Sequence, residues 1–548
     1  MSIFSIGVSG LNAAQIALAT AGKNITNVYT PGYNREITLL GEGLAGNGVE
    51  VKNIQRQFNQ FVASQYNSAL SGQTALNVYQ TQISQIDNLL ADSKAGLAPL
   101  MQSFFSSLQD LAASPSDPAA RQGLIGTADT LSGQFRAFDS YLNDLQKNVN
   151  GQIGDVVFQV NNLAEQMANL NREITLAKAR TGQAPNDLLN QRDHTVTELS
   201  KLIDVELTIQ DGGTYNLSIG NGQQLVAGER SFSLQAMASS SDPSRIVVGF
   251  KDGAGNVREM NEASFTGGEL GGLMTFRRET LDKTQNQLGQ MAVSFALVFN
   301  QQHTQGVDIN GDAGKAMFGI GSPTAYANRN NAVGGAQINQ TQYTDGSQLL
   351  ATDYTLRVTG VDAGGNPTFS AIRKDSGQAL DPAPVFDSAD GSVSFGGMKL
   401  SFDGAAFNEG DSYEIQPVRR GAGQITNEIH DTGLIAAGEA GGGTGDNRNA
   451  LALQNLQQAK LVGGNATLSQ AYASLVGDVG NRANVVAANA KAQDGLAEQL
   501  GALQQGTSGV NLDEEAANLL RFQQYYQASA KIIEVGASVL DTILGINR

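Results

Sequence analysis

The final stretch of the chain, Gly509 to Arg548, contains no Pro and repeats on a seven-residue period. Leu512, Leu519, Tyr526, Ile533 and Leu540 form one stripe, and Ala516, Gln523, Ala530, Ala537 and Leu544 form a second. Together they read as the a and d rows of a coiled-coil seam, with Gln523 its one polar member. Phe522, Ile532, Val535 and Ile543 widen the apolar face beyond a strict seam. Asn511 is placed to cap the helix, and Asp513, Glu514 and Glu515 fall where the helix dipole favours negative charge. A helix this apolar on one side needs a partner, because isolated helices are marginal in water.

The other end of the chain offers one. Phe4, Leu11, Leu18 and Ile25 lie seven apart, interleaved with Gly7, Ala14, Ala21 and Val28. Large residues on one row and small on the other leave room for the Leu, Ile and Tyr of the C-terminal seam. The expectation is that the two termini pair, with Leu11, Leu18, Leu519, Tyr526, Ile533 and Leu540 buried along the seam. The plainer alternative is two amphipathic helices packed on separate parts of a core. Two extended seams at the two chain ends favour assembly, so the candidate interface comprises Phe4, Leu11, Leu18, Ile25, Leu512, Leu519, Phe522, Tyr526, Ile533, Leu540 and Leu544.

A chain of 548 residues is too long for one core. Its 35 basic and 52 acidic residues give a net charge of −17, which argues against nucleic acid or an anionic membrane as the main partner. Charged residues make up only 16% of the chain, so self-packing meets little charge repulsion. The absence of Cys excludes disulfides, thiolate catalysis and Cys-ligated metals. The first basic residue is Lys23, so no signal peptide is expected, and no apolar run approaches the length of a membrane span, so no membrane insertion is expected.

Pro is the clearest punctuation, absent between 32 and 98, 119 and 184, 244 and 322, and 418 and 548. Apolar periodicity places helices at 3–28, 55–92, 97–112, 118–149, 152–181, 186–203, 268–302 and 447–507. A turn follows at Thr30–Tyr33 and a Gly-rich loop at 41–48. At Val205 the period changes to two, and Asp211-Gly-Gly213 separates the arms of a hairpin. Strand-like segments recur at 231–235 and 245–250. Residues 323–350 show no clear period, and short strands follow at 354–358, 368–372, 393–395, 398–402 and 413–418. The expected fold is multidomain α+β: coiled-coil terminal helices, an elongated α-helical bundle and an inserted all-β module. The expected domains are a terminal base (1–55 with 508–548), a helical rod (56–204 with 266–318 and 420–507) and an outer β insert (205–265 with 319–419).

Catalytic patterns are sparse. His194, His303 and His430 are far apart, with no His-Glu-x-x-His motif, and each is expected on a helix or loop surface. Asp308-Ile-Asn-Gly-Asp312 opens like a calcium loop but has Ala313 and Gly319 at its sixth and twelfth positions, so an Asn-Gly turn is expected. Asp375-Ser-Gly377 and Asp431-Thr-Gly433 match the paired signature of aspartic proteases only superficially, since Arg373 and Lys374 precede the first. No phosphate loop or dinucleotide fingerprint is present, and neither an enzyme nor a cofactor is expected.

The two ends carry a resemblance. Ser9-Gly-Leu-Asn-Ala-Ala-Gln15, Asn24-Ile-Thr-Asn27 and Thr30-Pro-Gly-Tyr-Asn-Arg35 at one end, and Gly509 through Lys531 at the other, resemble the axial rod and hook proteins of the bacterial flagellum. Asp187-Leu-Leu-Asn-Gln-Arg-Asp193 and Gly306-Val-Asp-Ile-Asn-Gly311 narrow the resemblance to the hook-associated protein 1 family. The chain departs from the family at Asn27-Val-Tyr29, where Asn-Ala-Asn is common. The resemblance spans roughly residues 1–310 and 420–548. It implies a structural junction between hook and filament, outside the cell, reached by unfolded passage through the flagellar type III export route. It implies as partners other copies in a ring or helical homo-oligomer, the hook protein, the second junction protein (hook-associated protein 3), and an export chaperone at the C-terminal helix. The alternative reading makes the β insert an adhesin-like binding module.

Overall fold

The computed structural model describes residues 3–43, 48–91, 96–220 and 222–546. The chain opens with helix α1 (Ile3–Thr26) and the antiparallel pair β1 (Glu36–Glu42) and β2 (Val49–Arg56). Residues 44–47 of the expected Gly-rich loop lie outside the described residues. Four helices follow: α2 (Gln60–Leu90), α3 (Leu97–Ala113), α4 (Pro118–Thr181) and α5 (Asn186–Leu202). The sequence reading broke α4 near residue 150. It is instead one helix of 64 residues, about 95 Å long at 1.5 Å per residue. Gly151 and Gly154 weaken it locally, but Val149, Ile153, Val156, Val157 and Val160 are all buried, and tertiary packing outweighs propensity.

Strands β3 (Val205–Ile209), β4 (Tyr215–Ile219), β5 (Gln223–Ala227) and β6 (Arg230–Ser231) form one sheet in that order. Strands β7 (Leu234–Ala238), β8 (Ile246–Lys251) and β9 (Val257–Glu259) form a second. The chain re-enters the helical layer through α6 (Gly268–Phe276), a π turn at Arg277–Leu281 and α7 (Asp282–His303). After the short β10 (Phe318–Gly319) come β11 (Thr324–Ala327), β12 (Ile338–Tyr343), β13 (Tyr354–Val361), β14 (Pro367–Arg373), β15 (Val385–Asp387), β16 (Ser392–Phe395), β17 (Met398–Phe402) and β18 (Ser412–Gln416). They make two antiparallel sheets, ordered β11-β18-β13-β14 and β12-β17-β16-β15. Alternate residues of β13 (Tyr354, Leu356, Val358) and β17 (Met398, Leu400, Phe402) point into the shared core, where the Phe369 and Phe402 rings stack. The chain returns through α8 (Gly421–Gln424), β19 (Thr426–Asn427), α9 (Arg448–Asn455) and α10 (Leu468–Ser508), and ends in α11 (Leu512–Ile546).

Among the described residues, two hydrophobic cores result. The larger one joins α2–α7, α9 and α10 with the two sheets of β3–β9. The second lies inside the β11–β18 module and reaches α7 through Val293. Grouping 205–265 with the outer β insert is therefore corrected: those strands lay Tyr215, Leu217, Leu225 and Val248 onto the helices. Helix α10 runs antiparallel to α2, with Gln493 bonded to the Ala69 carbonyl and Tyr472 to that of Leu90. His303 also departs from expectation. It is fully buried, its Nδ1 2.6 Å from the Lys315 carbonyl and its Nε2 accepting the Ala436 N–H at 3.0 Å.

Candidate assembly interface at the chain ends

Helices α1 and α11 lie side by side and run in opposite directions. Gly7 meets Ile533 and Ser529, Gly10 meets Ser529, and Gly536 meets Ile3 and Phe4. Asn24 near the other end of α1 bonds Glu515 on the first turn of α11. Asn511 caps α11 as its sequence position implied, accepting the Asp513 and Glu514 N–H groups.

The contact is narrower than a large-residue seam and differently phased. On α1 the buried residues are Gly7, Ala13, Ala14, Ala17, Thr20, Ala21 and Asn24. The small row supplies the close approach, and Phe4, Leu11, Leu18 and Ile25 stay half-buried at its flank. On α11 the covered row is Glu515, Phe522, Ser529 and Gly536, one position away from the stripe Ala516, Gln523, Ala530, which is exposed. Leu519 and Ile533 are half-buried, while Leu512, Tyr526, Leu540 and Leu544 are exposed. The expected burial of Tyr526 and Leu540 is thus corrected. Two helices packed through small residues cover only one face of each, and Leu512, Tyr526, Leu540 and Leu544 are left outside.

That outer surface is extensive. Leu520, Tyr525, Val535, Val539, Ile543 and Leu544 on α11, and Ile3, Ile6 and Val8 on α1, are each more than a third exposed. Residues 537–546 also run on past the start of α1, for about 15 Å. Helix α1 is by length and composition apolar enough to cross a membrane, contrary to the sequence reading, but its small face is covered by α11 and β1–β2.

A polar hub fixes this pair to the helical body. Asn24 Nδ2 donates to the Glu36 carbonyl at 2.8 Å and to Glu515 Oε2 at 3.0 Å, and its Oδ1 accepts from Glu36 N–H and the Tyr33 hydroxyl. Arg35 straddles Glu515 and Glu514 at 2.7 and 2.6 Å, and its N–H donates to the Ser508 carbonyl. Burial works against the Arg35 charge, but these two carboxylates raise its pKa on balance. Lys23 bridges Glu36 and Asp187 at 3.0 and 2.8 Å. Asn34 bonds Asn190, Arg56 pairs with Asp193, and the Arg192 guanidinium stacks 3.4 Å from the Tyr215 ring centre. Gly32 has φ +76°, and a Cβ there would lie 2.6 Å from that of His194. The sequence reading took Thr30–Tyr33 as a turn and placed Glu514 and Glu515 at the helix start, but did not bring these segments together. The signal was available: adjacent Tyr-Asn-Arg and a matching Asp/Asn/Arg/Asp set, both rich in hydrogen-bonding groups.

Other candidate chemistry dissolves into local structure. Asp308 accepts the Asn310 and Asp312 N–H groups across a turn with Gly311 at φ +86°. Asp375 pairs with Arg373, and Asp431 caps a short helical turn. Among the described residues no group of three or more His, Asp or Glu side chains is arranged to hold a metal ion.

Comparison with known proteins decides the family. The chain is 41% identical to flagellar hook-associated protein 1 of Salmonella typhimurium, with the whole of both chains covered. The chain belongs to the flagellar hook-associated protein 1 family. The member from Escherichia coli is 42% identical, also over the whole of both chains, and that of Bacillus subtilis is 23% identical over 97% of this chain and 96% of its own. Residues 83–318 match the flagellar hook-associated protein FlgK helical domain, and 326–417 the D2-like domain of flagellar hook-associated protein 1. Residues 4–34 match the flagella basal body rod protein family and 502–546 the flagellar basal body rod FlgEFG protein C-terminal family. The solved flagellar hook junction protein FlgK from Burkholderia pseudomallei superposes with a TM-score of 0.75 at 28% identity, covering 80% of this chain and 99% of that one. The hook-associated protein 1 family is thus the setting for the paired ends, and its rod-type end segments coincide with α1 and α11.

Proposed function

We propose that this protein is a non-enzymatic building block of the flagellar junction between hook and filament, on the outside of the cell. Copies pack side by side in a ring or short helix around an axial channel, with the α1–α11 pairs innermost. The hook protein lies on one side of this layer and hook-associated protein 3 on the other. The observation that carries the reading is the apolar surface that the terminal pair leaves uncovered, on Leu512, Leu520, Val535, Val539, Leu540, Ile543 and Leu544. Val535, Val539, Leu540, Ile543 and Leu544 recur three to four positions apart at the end of α11, and clustered exposed apolar side chains of this kind mark an interaction site. Before assembly the chain passes unfolded through the type III export route, and an export chaperone groove takes the C-terminal helix by its apolar face. A chain without Cys suits such passage. The test is deletion of Leu519–Arg548 in a motile strain. The β11–β18 module should remain folded and filaments should fail to attach; normal filament growth would overturn the assembly role of α11.

A further inference from the structure

Strand β3 is the outer strand of its sheet, and its free side borders a cleft. The hydrogen-bonding phase of the β3–β4 pair can be read from β4. The Tyr215 N–H and carbonyl both bond the Asn171 side chain, and Leu217 pairs onward with Val226 of β5. Tyr215 and Leu217 stand opposite Ile209 and Leu207, so these are the positions of an antiparallel ladder that exchange no main-chain bonds with each other. Glu206 and Thr208 bond inward to β4, while Val205, Leu207 and Ile209 direct their N–H and C=O groups outward. Among the described residues no main-chain group pairs with that outer edge. The strand carries no Pro and pairs with β4 without a bulge, so two common guards against edge pairing are absent.

The cleft has a volume of about 1220 Å³ and is walled by residues 205–207, α5, the 28–34 turn, the start of α2 and the 508–510 passage. That exceeds the roughly 300–1,000 Å³ of a small-molecule pocket and suits a length of polypeptide. The Ser508 hydroxyl is buried in its wall with no hydrogen-bond partner, and the Tyr29 side chain stands 88% exposed at its lip. Its charges are uneven. Asp193 is matched by Arg56 and Glu198 by Lys201, with His194 3.9 Å from the same Glu198. Asp204 takes only the Thr266 hydroxyl at 3.3 Å, and Glu206 is exposed with no ion pair among the described residues. An occupant therefore has to bring main-chain hydrogen bonds in extended form together with a cation.

We propose that this cleft receives an extended, basic segment of a second copy of the chain, which adds to the free edge of β3 as a further strand. The inference rests on the side-by-side packing of copies proposed above. A second copy is the occupant because the cleft is continuous with the terminal pair: its walls include the turn that follows α1 and the passage into α11. Val205 and Leu207 hold the segment by main-chain bonds, and Asp204 and Glu206 select for a Lys or Arg on it. Pairing of β3 with β3 would set Glu206 against its own copy, so the two partners use different surfaces. Such a head-to-tail contact closes into a ring or continues as a helix.

Residue-resolved hydrogen exchange tests this on the free chain and on the chain assembled onto isolated hooks. In the free chain the amides should alternate, Glu206 and Thr208 slow, Val205 and Leu207 fast. In the assembly Val205 and Leu207 should slow by about tenfold or more, and the alternation should vanish. Failure of the native chain to bind hooks would overturn the junction role and this contact with it, whereas binding with the alternation kept overturns the strand addition alone. Tyr29→Cys, in a chain with no native Cys, carries a photo-cross-linker that names the occupant. A product joining two copies is expected; a product with any other protein, or none, overturns the choice of partner. Leu207→Pro removes one outward N–H and spares the bonds to β4, so it should abolish the two-copy product. An undiminished yield would overturn the proposal. If circular dichroism shows Leu207→Pro unfolded, Glu206→Lys replaces it; its reversed charge should lower the yield, and an unchanged yield overturns recognition of a basic segment.

Discussion

Asn24 and Glu515 are 491 positions apart in sequence and meet at 3.0 Å, both buried, where the first helix ends and the last begins. Glu515 also takes Arg35, so one carboxylate joins α1, the loop after it and α11. Glu515→Ala leaves the Asn24 amide and the Arg35 guanidinium short of acceptors in a mostly covered site. The expected cost is about 2–4 kcal/mol. Hydrogen exchange should speed up across 3–26 and 512–546 while α4 keeps its protection. Unchanged exchange at the ends would mean that the hub does not hold the pair.

At Gly7 the two helices pack closely, and a Cβ there would lie 2.6 Å from Ile533 Cγ1 and 3.3 Å from the Ser529 carbonyl. Gly7→Val should destabilise the pair by about 1–3 kcal/mol through overpacking. Limited trypsin digestion reads this directly, since Lys23, Arg521 and Lys531 lie on the two helices. Cleavage there should accelerate relative to the native chain; an unchanged pattern would show that the helices separate without penalty.

His303 gives a pH dependence of known sign. Burial holds its pKa below the ordinary imidazole value, against a smaller upward pull from the Lys315 carbonyl. Its Nε2 must also stay unprotonated to accept the Ala436 N–H. The unfolded chain therefore binds the proton more readily, and stability falls as pH drops below about 6.5. Urea melts of native and His303→Gln chains at several pH values isolate the effect, and the native-minus-variant difference should shrink toward acid. A constant difference would contradict the buried neutral imidazole.

Gly289 on α7 lies directly under the Val418 carbonyl, where the chain leaves the β module. Any Cβ would collide with main chain that a rotamer change cannot move, so Gly289→Ala should cost about 3 kcal/mol, the upper end for overpacking. Calorimetry should show the unfolding transition lowered or split in two. An unaltered melt would show that the module seats elsewhere.

Much of the architecture was legible because period and punctuation agreed. The β3–β4 hairpin carried alternation on both arms of Asp211-Gly-Gly213, and the α6–α7 run carried Leu281, Leu288 and Phe295 at heptad spacing. Strands β11 and β12 gave no such signal: Thr324–Ala327 is half-buried throughout, so no clean alternation is written in it. The terminal seam was legible as a place but not as a phase. Counting large residues favoured Leu512, Tyr526 and Leu540, whereas the helices meet through Gly7, Ala14, Ala21, Ser529 and Gly536, whose value is the closeness they permit. The hub was missed because Tyr33, Arg35, Asp187 and Glu515 are joined only once three segments distant in sequence, around residues 23–36, 187 and 515, converge.

The pairing of first helix with last also orders events in time. Closing a loop of nearly five hundred residues in a loose chain costs about 5 kcal/mol of configurational entropy before any contact forms. Once the body has collapsed, Arg35 already hydrogen-bonds Ser508, and the stretch left to close shrinks to the two helices themselves. The ends should therefore zip last during folding and fray first on warming. The molecule keeps a rigid shaft while its joining tip is the part most readily rearranged.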